Sequence, residues 1–208
     1  MMRSRLKVII LFIVVLTLQT FNSLADEWPA PTSQHAVSRN GKYLARIVPG
    51  KSWGDTVEFA ESKKGAYARG EFYEKQTDRS FKLIADVPLQ NPIAPVHVLL
   101  NDQGYLVTFD NWHNAGYGKV VTIYKASGAL LRSYELEALY PAKRVEEIPR
   151  TVSSRHWLSE NYGFFSETDE SKVYAYDFRG GLFLFDLPSG DYEYLEGGQY
   201  QLLERMKP

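Results

Sequence analysis

There is no cysteine anywhere in the 208 residues. Disulfides, thiolate metal ligands and a lipid attached through sulfur are therefore excluded, and burial and hydrogen bonding alone must hold the fold. Charge of either sign is not in excess, since 24 Lys and Arg stand against 25 Asp and Glu for a net charge of −1. A chain without a basic surplus is not built to wrap a polyanion, so nucleic acid is not an expected partner. Histidine is scarce, with four residues. His97, His113 and His156, even with Asp110 nearby in sequence, show no His-x-x-x-His spacing, so a zinc site is not expected. Asn101-Asp102 and Asp169-Glu170 are too brief to supply the spaced oxygen ligands of a calcium loop. Gly163, Gly180 and Gly181 do not lie between a strand and a helix, so no phosphate-cradling loop is present and no cofactor is expected.

What is present is a composition of 44 % hydrophobic, 14 % aromatic and 24 % charged residues, which describes a folded chain rather than a disordered one. Its most specific segment is at the start. Arg3, Arg5 and Lys7 give a positive region, Val8 to Phe21 a mostly apolar stretch, and Ser23-Leu24-Ala25 the small residues a signal peptidase needs. Thr17, Gln19 and Thr20 interrupt the apolar stretch, and it is shorter than the ~20 residues of a spanning helix. The segment therefore predicts a signal peptide over residues 1–25, cleavage after Ala25, and a product in the periplasm or outside the cell with no stable membrane insertion. The mature chain loses three basic residues and no acidic one, and is mildly acidic.

Residues 26–38, with Pro29 and Pro31, read as an extended lead-in onto which Trp28 can pack, and residues 39–208 as one β-rich domain. Asn40-Gly41 precedes alternating Tyr43, Ala45 and Ile47, and Asn101-Asp102-Gln103-Gly104 precedes alternating Tyr105, Val107 and Phe109. Val57-Glu58-Phe59 leads to Gly65, Val120 to Tyr124 leads to Ser127-Gly128, and Leu182 to Leu187 leads to Ser189-Gly190. Gly41 and Gly65 are as far apart as Gly104 and Gly128, and Gly190 follows Gly128 by nearly the interval that separates Gly104 from Gly41. Such recurrence suggests repeated antiparallel hairpins, with Tyr162 to Phe165 and Val173 to Phe178 as strands before the last one. The unit is longer than the ~40–45 residues of a common propeller repeat, and three units fall short of the ~4–8 blades of a closed ring. The expected fold is all-β, antiparallel and propeller-like, in an incomplete or open arrangement. Glu135 to Tyr140 reads as a short helix ended by Pro141, followed by an irregular charged connection to Arg155.

Ser38-Arg39-Asn40-Gly41-Lys42-Tyr43, Asn101-Asp102-Gln103-Gly104-Tyr105, Ile123-Tyr124…Ser127-Gly128 and Phe185-Asp186…Ser189-Gly190 resemble turn elements of exported β-propeller-like repeat proteins of uncharacterised function. The resemblance implies a scaffold that presents loops, and a scaffold does not fix a function.

The densest polar and aromatic loop runs from Asp110 to Lys119. Trp112 and Tyr117 offer stacking surfaces there, and Asp110, Asn111, His113 and Asn114 offer hydrogen-bonding groups, for a small molecule, glycan or protein. The same residues also suit a structural role, with Trp112 capping a core and Asp110 and Asn111 satisfying turn amides. A hydrolase reading draws on Ser153, Ser154, His156 and Glu160, though no nucleophile elbow surrounds the serines. Glu146 and Glu147 are adjacent and suit a solvated face. The expectation is a binding or structural module, with a hydrolytic site near His156 as the alternative.

Overall fold

The computed structural model describes residues 28–52, 65–166 and 170–197. The signal segment, the Val57–Phe59 stretch and Asp169 lie outside the described residues. Three four-stranded antiparallel sheets follow one another along the chain, each a meander of neighbouring strands. The first comprises β1 (Gln34–Val37), β2 (Tyr43–Val48), β3 (Arg69–Lys75) and β4 (Phe81–Pro88). The second comprises β5 (Pro95–Leu100), β6 (Leu106–Asn111), β7 (Val121–Tyr124) and β8 (Leu130–Tyr134). The third comprises β9 (Leu158–Phe164), β10 (Lys172–Asp177), β11 (Leu182–Asp186) and β12 (Tyr192–Leu195). The fold is all-β in its sheets, and among the described residues they do not close into a ring.

The repeat unit is one sheet, and the structure re-pairs its landmarks. Gly41 and Gly104 both lie in the first turn of their sheets, where Gly41 N donates to the Ser38 carbonyl and Gly104 N to the Asn101 carbonyl. Gly128 and Gly190 both lie in the third turn, closing β7–β8 and β11–β12. Gly65 does not belong to that series. It falls in the long β2–β3 connection, and the third turn of the first sheet carries Arg79 at φ 69 instead. The recurrence of Gly128 and Gly190 has a packing cause. A Cβ on Gly128 would lie 2.9 Å from the Ala85 Cβ on β4, and one on Gly190 would lie 2.9 Å from the Arg132 Cβ on β8. Each third turn presses on the last strand of the preceding sheet, and only glycine allows that approach at φ 75–76.

Stacking of the sheets buries two main clusters. Ala45, Ile47 and Phe72 of the first sheet meet Leu100, Leu106 and Tyr124 of the second. Val107, Phe109, Val121 and Ile123 of the second meet Val173, Ala175, Phe183 and Phe185 of the third. The second sheet is thus covered on both faces, which is why every residue of β6 and β7 is buried. At one end the sheets are tied by polar groups: the Asp102 carboxylate accepts from Asn40 N at 2.7 Å, and the buried Glu170 carboxylate accepts from Asp102 N at 2.7 Å.

The expected short helix is present as α1 (Leu136–Leu139), with Leu136 and Leu139 buried. The connection after it is not wholly irregular, because a second short helix, α2 (Ala142–Glu146), begins directly after Pro141. Proline lacks an N–H and has a helix-compatible φ, so it ends one helix and opens the next at no cost in hydrogen bonds. The lead-in read at residues 26–38 contains β1, which pairs with β2 from Gln34↔Ile47 to Val37↔Leu44.

Candidate functional site

The loop from Asp110 to Lys119 joins β6 to β7 in the central sheet. Its geometry begins with Asp110, which sits at φ 57, a left-handed conformation that short polar side chains tolerate better than bulky ones. That single residue breaks the alternation of β6. Thr108 and Asn111 both meet Asn91, whereas Asp110 turns to the side of Phe109 and meets Trp157. Asp110 Oδ1 accepts hydrogen bonds from the Trp157 indole N–H and from Gly116 N, each at 2.8 Å. Oδ2 takes part in neither bond. Gly116, at φ 77, lies against the Arg155 backbone so closely that an added Cβ would overlap the Arg155 carbonyl oxygen.

Asn111 holds the loop from within, its Nδ2 donating to the Tyr117 carbonyl at 2.6 Å. Asn114 is buried, its backbone N donating to the Asn111 carbonyl and its own carbonyl accepting from Tyr117 N. Asn91, fully buried in the β4–β5 connection, donates from Nδ2 to the Asp110 carbonyl and to Asn111 Oδ1, both at 2.9 Å, and accepts from Thr108. Tyr117 lies beneath the Arg155 guanidinium, whose carbon is 4.3 Å from the ring centroid, and Arg155 Nη1 donates to Glu137 at 2.8 Å. Trp112 and His113 face another neighbour. The Trp112 indole N–H donates to the Pro29 carbonyl at 2.9 Å, and Trp28 meets the rings of Trp112 and His113 edge-on at 5.4 and 5.9 Å.

The six loop candidates are therefore brought together in sequence but divided in space. Asp110 lines a cleft of about 140 Å³ with Val96, His97, Ala115 and residues 155–160. Asn111 and Asn114 brace the turn, Tyr117 supports Arg155, and Trp112 with His113 receives the lead-in. Of the hydrolytic alternative, the cleft gathers His156 and Glu160 but is lined by neither Ser153 nor Ser154. His156 is exposed there, while the Ser154 hydroxyl is buried without a hydrogen-bond partner, so no serine–histidine relay is formed by that pair. Among the described residues no cluster of three or more His, Cys, Asp or Glu side chains can hold a metal ion, and no helix is long and apolar enough to cross a membrane.

Burial dominates the electrostatics of the cleft. Desolvation pushes the Asp110 carboxyl up to about 7, with the Trp157 and Gly116 donors pulling the other way, and no cation among its causes. His97 is held below its ordinary value by burial, against the pull of Glu160, and its ring lies 4.8 Å from that of Tyr162. Asn91, Trp157 and Arg155 are the supporting residues that no sequence pattern disclosed. They come from other segments, and only the fold places them beside the loop.

No family model matches the sequence, and no curated protein matches it. Among solved structures there is a weak, partial match to the C-terminal WD40 domain of Sif2, with 12 % identity and a TM-score of 0.37 over 81 % of this chain and 39 % of that one. This chain spans about two fifths of the length of the structure it matches.

Proposed function

We propose that this is an exported noncovalent recognition module, and that its cleft takes one polar group of a larger ligand such as a glycan or a peptide. The observation that carries this reading is Asp110: a buried carboxyl that spends one oxygen on the fold and keeps the other out of that network, at the wall of a cleft. A volume of about 140 Å³ is well below the ~300–1,000 Å³ of sites that engulf a whole small molecule. It suits a hydroxyl or amide group presented by something bigger. With its carboxyl near 7, Asp110 offers an acceptor when ionised and a donor when protonated. Export rests on the residues of the leader segment, Arg3 to Ala25.

The test is a panel of oligosaccharides and short peptides titrated into the protein and into Asp110→Asn, followed by NMR shifts of cleft residues. Asparagine keeps an oxygen for Trp157 and Gly116, so the loop should persist. The expected result is a ligand that shifts Ala115 and Leu158 in the parent and at least ten-fold less tightly in the variant. Equal binding by both proteins would remove Asp110 from the site, and turnover of any panel member would favour the hydrolytic reading.

A further inference from the structure

The face of the loop formed by Trp112 and His113 does not line the cleft, and the chain itself shows what chemistry fits it. The segment seated there is Trp28-Pro29-Ala30-Pro31. Each proline fixes its own φ and biases the residue before it toward extended backbone, so the segment is held near a polyproline conformation before it docks. Backbone carbonyls in that conformation have no internal partner. One of them, Pro29 O, accepts from the Trp112 indole N–H at 2.9 Å, while Trp28 packs edge-on against Trp112 at 5.4 Å and His113 at 5.9 Å. Aromatic-lined surfaces are a general way of recognising proline-stiffened extended segments, and here the Trp112 indole N–H adds a donor for the segment's carbonyl.

The seated segment lies outside the sheet. Residues 28–33 belong to no strand or helix, and the first ladder pair is Gln34↔Ile47. Leaving the Trp112 face thus breaks no sheet hydrogen bond, and the Gln34 Nε2 bond to the Pro95 carbonyl at 2.8 Å can stay in place behind it. We propose that the Trp112–His113 face is a receptor for an extended aromatic–proline segment of a partner protein, and that Trp28–Pro31 fills it in cis until such a segment displaces it. This surface is separate from the Asp110 cleft and does not depend on what the cleft binds.

The probe is a synthetic peptide of residues 26–33, titrated into the full exported chain and into its Trp28→Ala variant while the Trp112 indole N–H resonance is followed. In Trp28→Ala the resonance should shift saturably. The parent should need about ten-fold more peptide, because a short tether holds its own segment at an effective concentration of order mM. A peptide with alanine in place of its tryptophan should leave the resonance unmoved. No shift at mM peptide in a Trp28→Ala protein with the parent's circular dichroism would overturn the proposal. Should that variant not fold, the parent decides: excess peptide must move the Trp28 and Trp112 resonances together, and their constancy overturns it. A dimer that grows with concentration by exchanging the segment between copies would overturn the assignment to a partner protein.

Discussion

At Asp110 the protein holds a carboxylic acid whose charge burial leaves poorly solvated. The group titrates near 7 in the fold and near 4 when the chain is unfolded. The folded state therefore binds the proton more tightly, and the contribution of Asp110 to stability falls as pH rises from about 4 to about 7 and is constant above that. His97 and His113, both lowered by burial, act in the opposite sense below about pH 6.5, where the unfolded chain takes up protons first. The difference between parent and Asp110→Asn removes the histidine part. Urea unfolding at pH 5 and pH 7.5 should show the parent losing stability relative to the variant at the higher pH, and a constant difference would mean that Asp110 titrates as an ordinary carboxyl. The loop around this residue was legible in the sequence as a dense run of polar and aromatic groups. The division of labour within it was not, because the deciding partners lie far away in the chain: Asn91 and Trp157 are 19 and 47 residues from Asp110, and Pro29 is 83 from Trp112.

Turns and strands divide in the same way at the scale of elements. β2, β6, β7 and β11 were readable because one or both faces are buried and their apolar residues alternate or run together after glycine turns, and β10 because its buried residues run together without one. β3 and β4 were not, since Arg69–Lys75 is largely polar and most of Phe81–Pro88 is exposed, which leaves no periodic contrast to detect. The equal spacing of Gly65 was a coincidence of turn composition, whereas Gly128 and Gly190 recur because a neighbouring sheet presses on both. That distinction can be measured against Gly180, which has φ 78 with no atom within 4 Å of an added Cβ. Gly180→Ala should cost about 1–2 kcal/mol, the left-handed backbone term alone. Gly128→Ala carries the same backbone term plus about 1–3 kcal/mol of overpacking against Ala85 and Val87. Thermal or urea denaturation yielding equal losses would show that the third turn does not bear on the preceding sheet.

The whole molecule is coupled through its middle layer. Leu106 and Phe109 lie on one strand, yet Leu106 packs into the cluster shared with the first sheet and Phe109 into the cluster shared with the third. A small cluster of Tyr176, Leu182 and Leu184 belongs to the third sheet alone, but the larger cluster of each outer sheet is shared with the second, so losing the second sheet should expose both larger clusters. Truncating either side chain removes buried surface and leaves a cavity, at about 2–5 kcal/mol for Leu106→Ala and about 3–5 kcal/mol for Phe109→Ala. If the sheets unfold as one unit, each substitution lowers protection for amides of β2 in the first sheet and β10 in the third by the same amount, because exchange in both then requires the global transition. Hydrogen exchange followed strand by strand checks this. Should Leu106→Ala lower the protection of β2 while leaving β10 unchanged, the sheets would be separable, and the cleft formed by Asp110 on one sheet and Leu158 on the next would open and close with the contact between them.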